Sequence, residues 1–206
     1  LHAVAAICAA LMARTSTGKG LHLDVSVTDG VLSLMSLAID EHLAEGTIIG
    51  PRQGLLTGRY AFYDLYQAAD GGWLAVAAIE PRFFTNLCEA LHCEQWIDRQ
   101  YDGDPEAMRA DFAAAFSTRN RDDWATRLGP ADTCVSPVLD VAQVVADDHY
   151  QARNAFHETM HPSIGLFSQV GALLAQQVEP ATLEVPDWSS TNTDEVLLDL
   201  GIDEET

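Results

Sequence analysis

The chain has 206 residues, 48% of them hydrophobic and 20% charged, the balance of a folded protein of one large or two small domains rather than a disordered chain. Eleven basic residues face 31 acidic ones, a net charge of −20, which repels nucleic acid and anionic membrane surfaces. The opening "LHAVAAICAALMA" reads as a buried helix over 2–14: it has no basic n-region, no A-x-A cleavage site, and is too short to span a bilayer. A chain that opens in this way reads as the later part of something longer. "TSTGKG" is a turn by composition and lacks the G-x-x-x-x-G-K-[ST] order of a phosphate loop. "LHLDVSV" (21–27) alternates and predicts a strand. Thr28 or Asp29 is the expected cap of one helix over 29–45, ended by Gly46.

"GTIIGPRQGLLTG" (46–58), with four glycines and one proline, reads as a linker and a domain boundary. "YAFYDLYQAADGGWLAVAAI" then predicts a hairpin, strands 61–67 and 73–79 joined by a turn at Asp-Gly. Its aromatics Tyr60, Phe62, Tyr63 and Tyr66 are expected in a core. A helix follows over 80–92, with Pro81 suited to its first turn. Asp104 caps a helix over 105–118, and "NRDDWATRLG" forms another, ended by Gly129. "DTCVSPVL" (132–139) is a short strand or extended segment. A single helix is expected over 140–154 from an Asp cap, then an extended return path through "AFHETMHPSIG" and "VEPATLEVPDWSSTNT". "TDEVLLDLGI" is a short terminal helix with Thr193 as cap.

Few residues carry a chemical signal. The four cysteines form no CxxC pair and read as reduced, mostly buried thiols suited to a reducing cytoplasm. His157 and His161 are four apart but lack the H-E-x-x-H order, so no metal is expected. There is no G-x-S-x-G elbow and no G-x-G-x-x-G loop. Asp122–Asp123 and Asp147–Asp148 diverge by about 100° on a helix and read as solvated faces. Glu80 stands out, an acid where an apolar strand turns into a helix. It has two readings: a carboxylate complementing the helix dipole, or a carboxylate reaching a cleft to orient an acid/base partner.

Several segments together resemble the family III CoA-transferases (CaiB/BaiF), and among them the α-methylacyl-CoA racemases. "RTSTGKGLHLDVSVTDGVLSLMS" looks like the family's G-x-G-x-x-x-D-V-S turn, strand and helix. "YAFYDLYQAADGGWLAVAAIEPRFF" resembles P-F-Y-x-x-Y-x-x-x-D-G-x-x-x-A-V-x-A-x-E-P-x-F. "CVSPVLDVAQVVADDHYQAR" and "TDEVLLDLGI" resemble its later segments, in family order. The resemblance implies an α/β fold with an α+β small domain, the family III fold lacking its N-terminal Rossmann-like half. It divides the chain into 1–50, a remnant of the large domain, 51–154, linker and small domain, and 155–206, a return to the large domain. It further implies an enzyme with no cofactor and an acyl-CoA thioester as substrate, placed in the cytoplasm by the cysteine reading. Its partner is either a second copy, interlocked as a homodimer, or the missing half; exposed apolar faces are expected without one.

The racemase branch's I-E-P glutamate falls on Glu80, which by resemblance holds and polarises the catalytic histidine. The absence of glycine in 77–79, with Glu80 following, favours that branch over the transferases, whose glycine-rich loop lies there. The resemblance leaves three activities open: 1,1-proton transfer on a 2-methylacyl-CoA, CoA transfer between carboxylic acids, and a non-catalytic subunit.

Overall fold

A computed structural model describes residues 1–171, 183–184 and 191–201. It divides into two compact units, Leu1–Ser136 and Pro137–Thr206.

The core of the first unit lies in residues 60–136. Strands β1 (Tyr63–Gln67) and β2 (Trp73–Ala77) form the expected antiparallel hairpin, with Tyr66 opposite Leu74 and Asp64 opposite Val76. A third strand, β3 (Val135–Pro137), makes the sheet order β1-β2-β3. The turn works because Gly71 takes φ 81 and Asp70 accepts from the Gly72 amide at 3.1 Å. A Cβ on Gly72 would stand 2.8 Å from that of Arg121, so only glycine lets the turn meet the next helix.

Three helices close over the sheet, each burying a stripe at helical spacing. They are α4 (Pro81–Leu91) with Phe84, Leu87, Cys88 and Leu91, α5 (Pro105–Phe116) with Met108, Phe112 and Phe116, and α6 (Arg121–Leu128) with Trp124 and Leu128. Asp104 caps α5 as expected, accepting from the Glu106 and Ala107 amides. A 3-10 helical segment, Glu94–Arg99, places Trp96, whose indole donates to Asp111 at 2.8 Å. Phe62 and Tyr66 are buried, and Tyr60 and Tyr63 pack half-buried beside them.

Residues 1–45 behave differently. Helices α1 (His2–Thr17), α2 (Val27–Leu34) and α3 (Ser36–Glu45) bury no residue at all. The expectation of a buried opening helix is thus corrected: it forms, but nothing described covers it. The strand expected at 21–27 does not form. Residues 18–26 run without pairing, and Leu21, Leu23 and Val25 stay exposed, because alternation makes a strand only beside a neighbour. The single helix over 29–45 is two, parted at Met35 (φ −91, ψ 3), and the cap is Ser26, accepting from the Thr28 amide.

The second unit also departs from expectation. The helix over 140–154 is two: α7 (Val141–Ala146), opened by an Asp140–Gln143 capping box, and α8 (Asp148–Ala152). Asp147 separates them, extended at φ −69, ψ 128, because its carboxylate caps α8 through the His149 and Tyr150 amides. The return path begins as a paired hairpin, β4 (Phe156–His161) and β5 (Gly165–Val170), with β6 (Leu183–Glu184) parallel to β4. Thr159 is buried there and accepts from Gln169 at 2.7 Å. Most of "VEPATLEVPDWSSTNT" lies outside the described residues. The terminal helix α9 (Thr193–Asp199) forms, but Asn192 precedes it, and Thr193 is its first residue rather than its cap. No helix among the described residues is long and apolar enough to cross a membrane.

Candidate active site

Glu80 stands at the N-terminus of α4, extended at φ −68, ψ 138. Pro81 enforces this, since its ring disfavours a helical residue before it. The stem behind Glu80 is held from three sides. The Ala77 amide donates to the Cys134 carbonyl at 3.0 Å and the Ala78 amide to the Phe62 carbonyl at 2.9 Å. Gln100 donates to the Ala78 and Ile79 carbonyls at 3.3 and 2.8 Å. The Glu80 side chain itself is exposed, makes no capping bond, and has no ion-pair or hydrogen-bond partner among the described residues. The backbone is therefore fixed while the carboxylate stays open, and the helix dipole favours an acceptor there. Beside it, Arg82 pairs with Asp132 at 2.7 Å, and Asn86 donates to the Ala131 and Asp132 carbonyls, tying the loop before β3 to the first turns of α4.

The structure adds a feature that the sequence reading passed over as linker. An apolar groove of about 700 Å³ runs between α2–α3 and residues 49–60, within the usual size of small-molecule sites. Leu34, Leu37, Ile49, Leu55, Leu56 and Tyr60 are among its lining residues, and Tyr101 also lines it. Two successive turns build the 50–57 wall. Gly50 donates to the Gln53 side chain at 2.9 Å, and Gly54 to the Thr57 hydroxyl at 3.0 Å. The wall is tied to the core through Asp64, which pairs with Arg52 at 2.7 Å and with Arg109, itself donating to the Gly58 carbonyl at 3.0 Å. The paired Ile48–Ile49 and Leu55–Leu56 were the signal, since a true linker has little use for apolar pairs.

Tyr101 links groove and carboxylate. Its ring packs edge-on against Tyr60 at 5.4 Å and Phe62 at 5.2 Å, and its hydroxyl donates at 3.5 Å to the Ile79 carbonyl, one residue before Glu80.

Other candidates do not assemble. His157 and His161 sit four residues apart on one face of β4, and no group of three or more metal-ligating side chains occurs among the described residues. Cys88 and Cys93 are buried, but Cys8 and Cys134 are exposed, which corrects the expectation of mostly buried thiols. Burial pushes the Cys88 thiol up to about 12 and the Cys93 thiol up to about 11, so neither is a ready nucleophile.

The family model described as CoA-transferase family III matches residues 1–188. The chain belongs to that family. A racemase and a CoA-transferase are both similar to it. Human alpha-methylacyl-CoA racemase is 32% identical over 152 residues, 73% of this chain and 40% of the racemase. Acetyl-CoA:oxalate CoA-transferase of Acetobacter aceti is 30% identical over 160 residues, 72% of this chain and 39% of the transferase. The crystal structure of a CAIB/BAIF family protein from Brucella suis superimposes with a TM-score of 0.60 at 25% identity, covering 75% of this chain and 42% of that one. The chain thus spans less than half the length of these relatives.

Proposed function

We propose that the chain is part of an acyl-CoA-processing enzyme of the α-methylacyl-CoA racemase type, in which Glu80 braces a proton-shuttling histidine supplied from outside these 206 residues. One base removes the α-proton of a 2-methylacyl-CoA, leaving a planar enolate, and an acid returns a proton to the opposite face. Each partner needs a neighbour that tunes it. No cofactor is required, because the thioester carbonyl takes up the charge. In this reading residues 1–50 and 155–206 belong to a larger domain and 51–154 to the small one. A second, interlocked copy or an N-terminal half covers the apolar faces of α1–α3. The 206-residue chain alone is inactive and works in the cytoplasm only as part of that assembly.

The observation that carries the reading is the open carboxylate of Glu80 on a pinned stem, one residue from the carbonyl contacted by the groove residue Tyr101. Deuterium entry at the α-carbon of a 2-methylacyl-CoA tests it. Exchange by the complete enzyme, slowed by Glu80→Gln with the fold intact, supports the reading; exchange untouched by that change removes Glu80 from the mechanism.

The similarity to a CoA-transferase keeps a second reading in play, movement of CoA between carboxylic acids through anhydride and thioester intermediates. Transfer of CoA onto a free acid with no α-deuterium uptake would favour it. A third, a non-catalytic subunit that needs a partner supplying the missing half, is favoured if the isolated chain turns over nothing and turnover appears once that half is added.

A further inference from the structure

Strand β2 ends in a three-residue turn, in which the Ile79 amide donates to the Ala77 carbonyl at 2.9 Å. In a continuing strand the Ala78 and Ile79 carbonyls would point opposite ways. Here one donor group reaches both, the Gln100 side-chain amide, at 3.3 and 2.8 Å. Tyr101 meets the Ile79 carbonyl alone, at 3.5 Å, beyond the usual O–H···O range. The bonds made by the Ala77 and Ala78 amides run from backbone to backbone and ask for no particular side chain. Gln100 itself stands on a firm base. The segment before it, Glu94–Arg99, buries Trp96, and the Trp96 indole and Gln95 amide both donate to Asp111, at 2.8 and 3.0 Å. The Gly103 amide closes the turn after it by donating to the Arg99 carbonyl at 3.0 Å.

We infer that Gln100 is a positioning residue for Glu80: by clasping the Ala78 and Ile79 carbonyls it fixes the direction in which the carboxylate leaves the turn. This rests on the reading of Glu80 as the brace of a catalytic histidine. The Glu80 side chain is exposed and unpartnered among the described residues, so its backbone must aim it. Pro81 settles one side by holding Glu80 extended. On the other side, a swing of the Ile79 peptide would carry the carboxylate with it, and the Gln100 clasp opposes that swing. Aim matters because a displacement of about 1 Å at a reacting centre can cost roughly a hundredfold in rate.

The test follows deuterium uptake at the α-carbon of a 2-methylacyl-CoA by the complete enzyme. Gln100→Met keeps the length of the side chain and removes its donor. We expect kcat to fall about tenfold with KM unchanged. In a Glu80→Gln background the same change should cost nothing further, the mark of a residue that acts through Glu80. Gln100→Glu, alike in shape but without the donor at neutral pH, should repeat the result and serves if the Met variant does not fold. An unchanged kcat, a loss confined to KM, or an equal loss with and without Glu80 overturns the inference while the Glu80 reading stands. If neither variant folds, Gln100 is a support of the fold and the inference is again overturned. If Glu80→Gln alone leaves uptake undiminished, the Glu80 reading falls and takes the inference with it.

Discussion

Residues 1–45 and residues 60–136 draw on the same apolar vocabulary and use it in opposite ways. In the second stretch the leucines, phenylalanines and tryptophans of α4, α5 and α6 face one another across a hairpin and vanish from solvent. In the first, Leu34, Leu37 and Leu43 are 85%, 71% and 76% exposed although they sit on well-formed helices. Local pattern is enough to make a helix, but burial needs a second surface, and only the hairpin brings its own.

The comparison sharpens under substitution. Phe112 lies fully buried between the hairpin and its neighbours, so Phe112→Ala should lower stability by about 3–5 kcal/mol in a denaturant melt. Asp64 neutralises two arginines with its side chain 11% exposed. Asp64→Asn strips Arg52 of its counterion and leaves Arg109 only Glu106, at 3.6 Å, and should cost about 3 kcal/mol, with the 50–57 wall loosened first in hydrogen exchange.

Alkali should act on the packed region alone. The thiols of Cys88 and Cys93 ionise near 9.0 in the unfolded chain but only near 12 and 11 when folded, because burial disfavours the thiolate. Above pH 9 the unfolded chain releases protons that the folded one keeps, so stability is intact below pH 9 and falls between pH 9 and about 12. Melting temperature against pH checks this, and Cys88→Ala should flatten the decline. The smallest effect belongs to the uncovered helices. Leu37→Ala should change the stability of the chain by less than about 0.5 kcal/mol; a loss rivalling that of Phe112→Ala would break the contrast between the two regions.

How much of this was legible follows the same division. The hairpin, its Asp-Gly turn, the Asp104 cap and the existence of α4 and α5 were readable because their signals lie within a few residues. Family membership was readable too, from four segments in order. The strand expected at 21–27 was not, since alternation says nothing about whether a partner strand exists. Asp147 hid its break because either of two adjacent aspartates could lie on a continuing helix, and only the capping bonds decide. The groove was missed for a related reason. Glycines at 50 and 54 read as flexibility, whereas here they admit the side chains of Gln53 and Thr57, which approach too closely for a Cβ to fit comfortably. Glu80 was visible from its setting between strand and helix, but its freedom from any partner could be seen only in three dimensions.

Glu80 gives the most direct test. Because the side chain is exposed and makes no bond, Glu80→Gln should leave the melt unchanged to within about 0.5 kcal/mol. In the complete enzyme, deuterium uptake at the α-carbon of a 2-methylacyl-CoA should fall by roughly a hundredfold, the scale of losing support for a general acid/base. An undiminished rate of uptake in a folded Glu80→Gln enzyme would contradict the account.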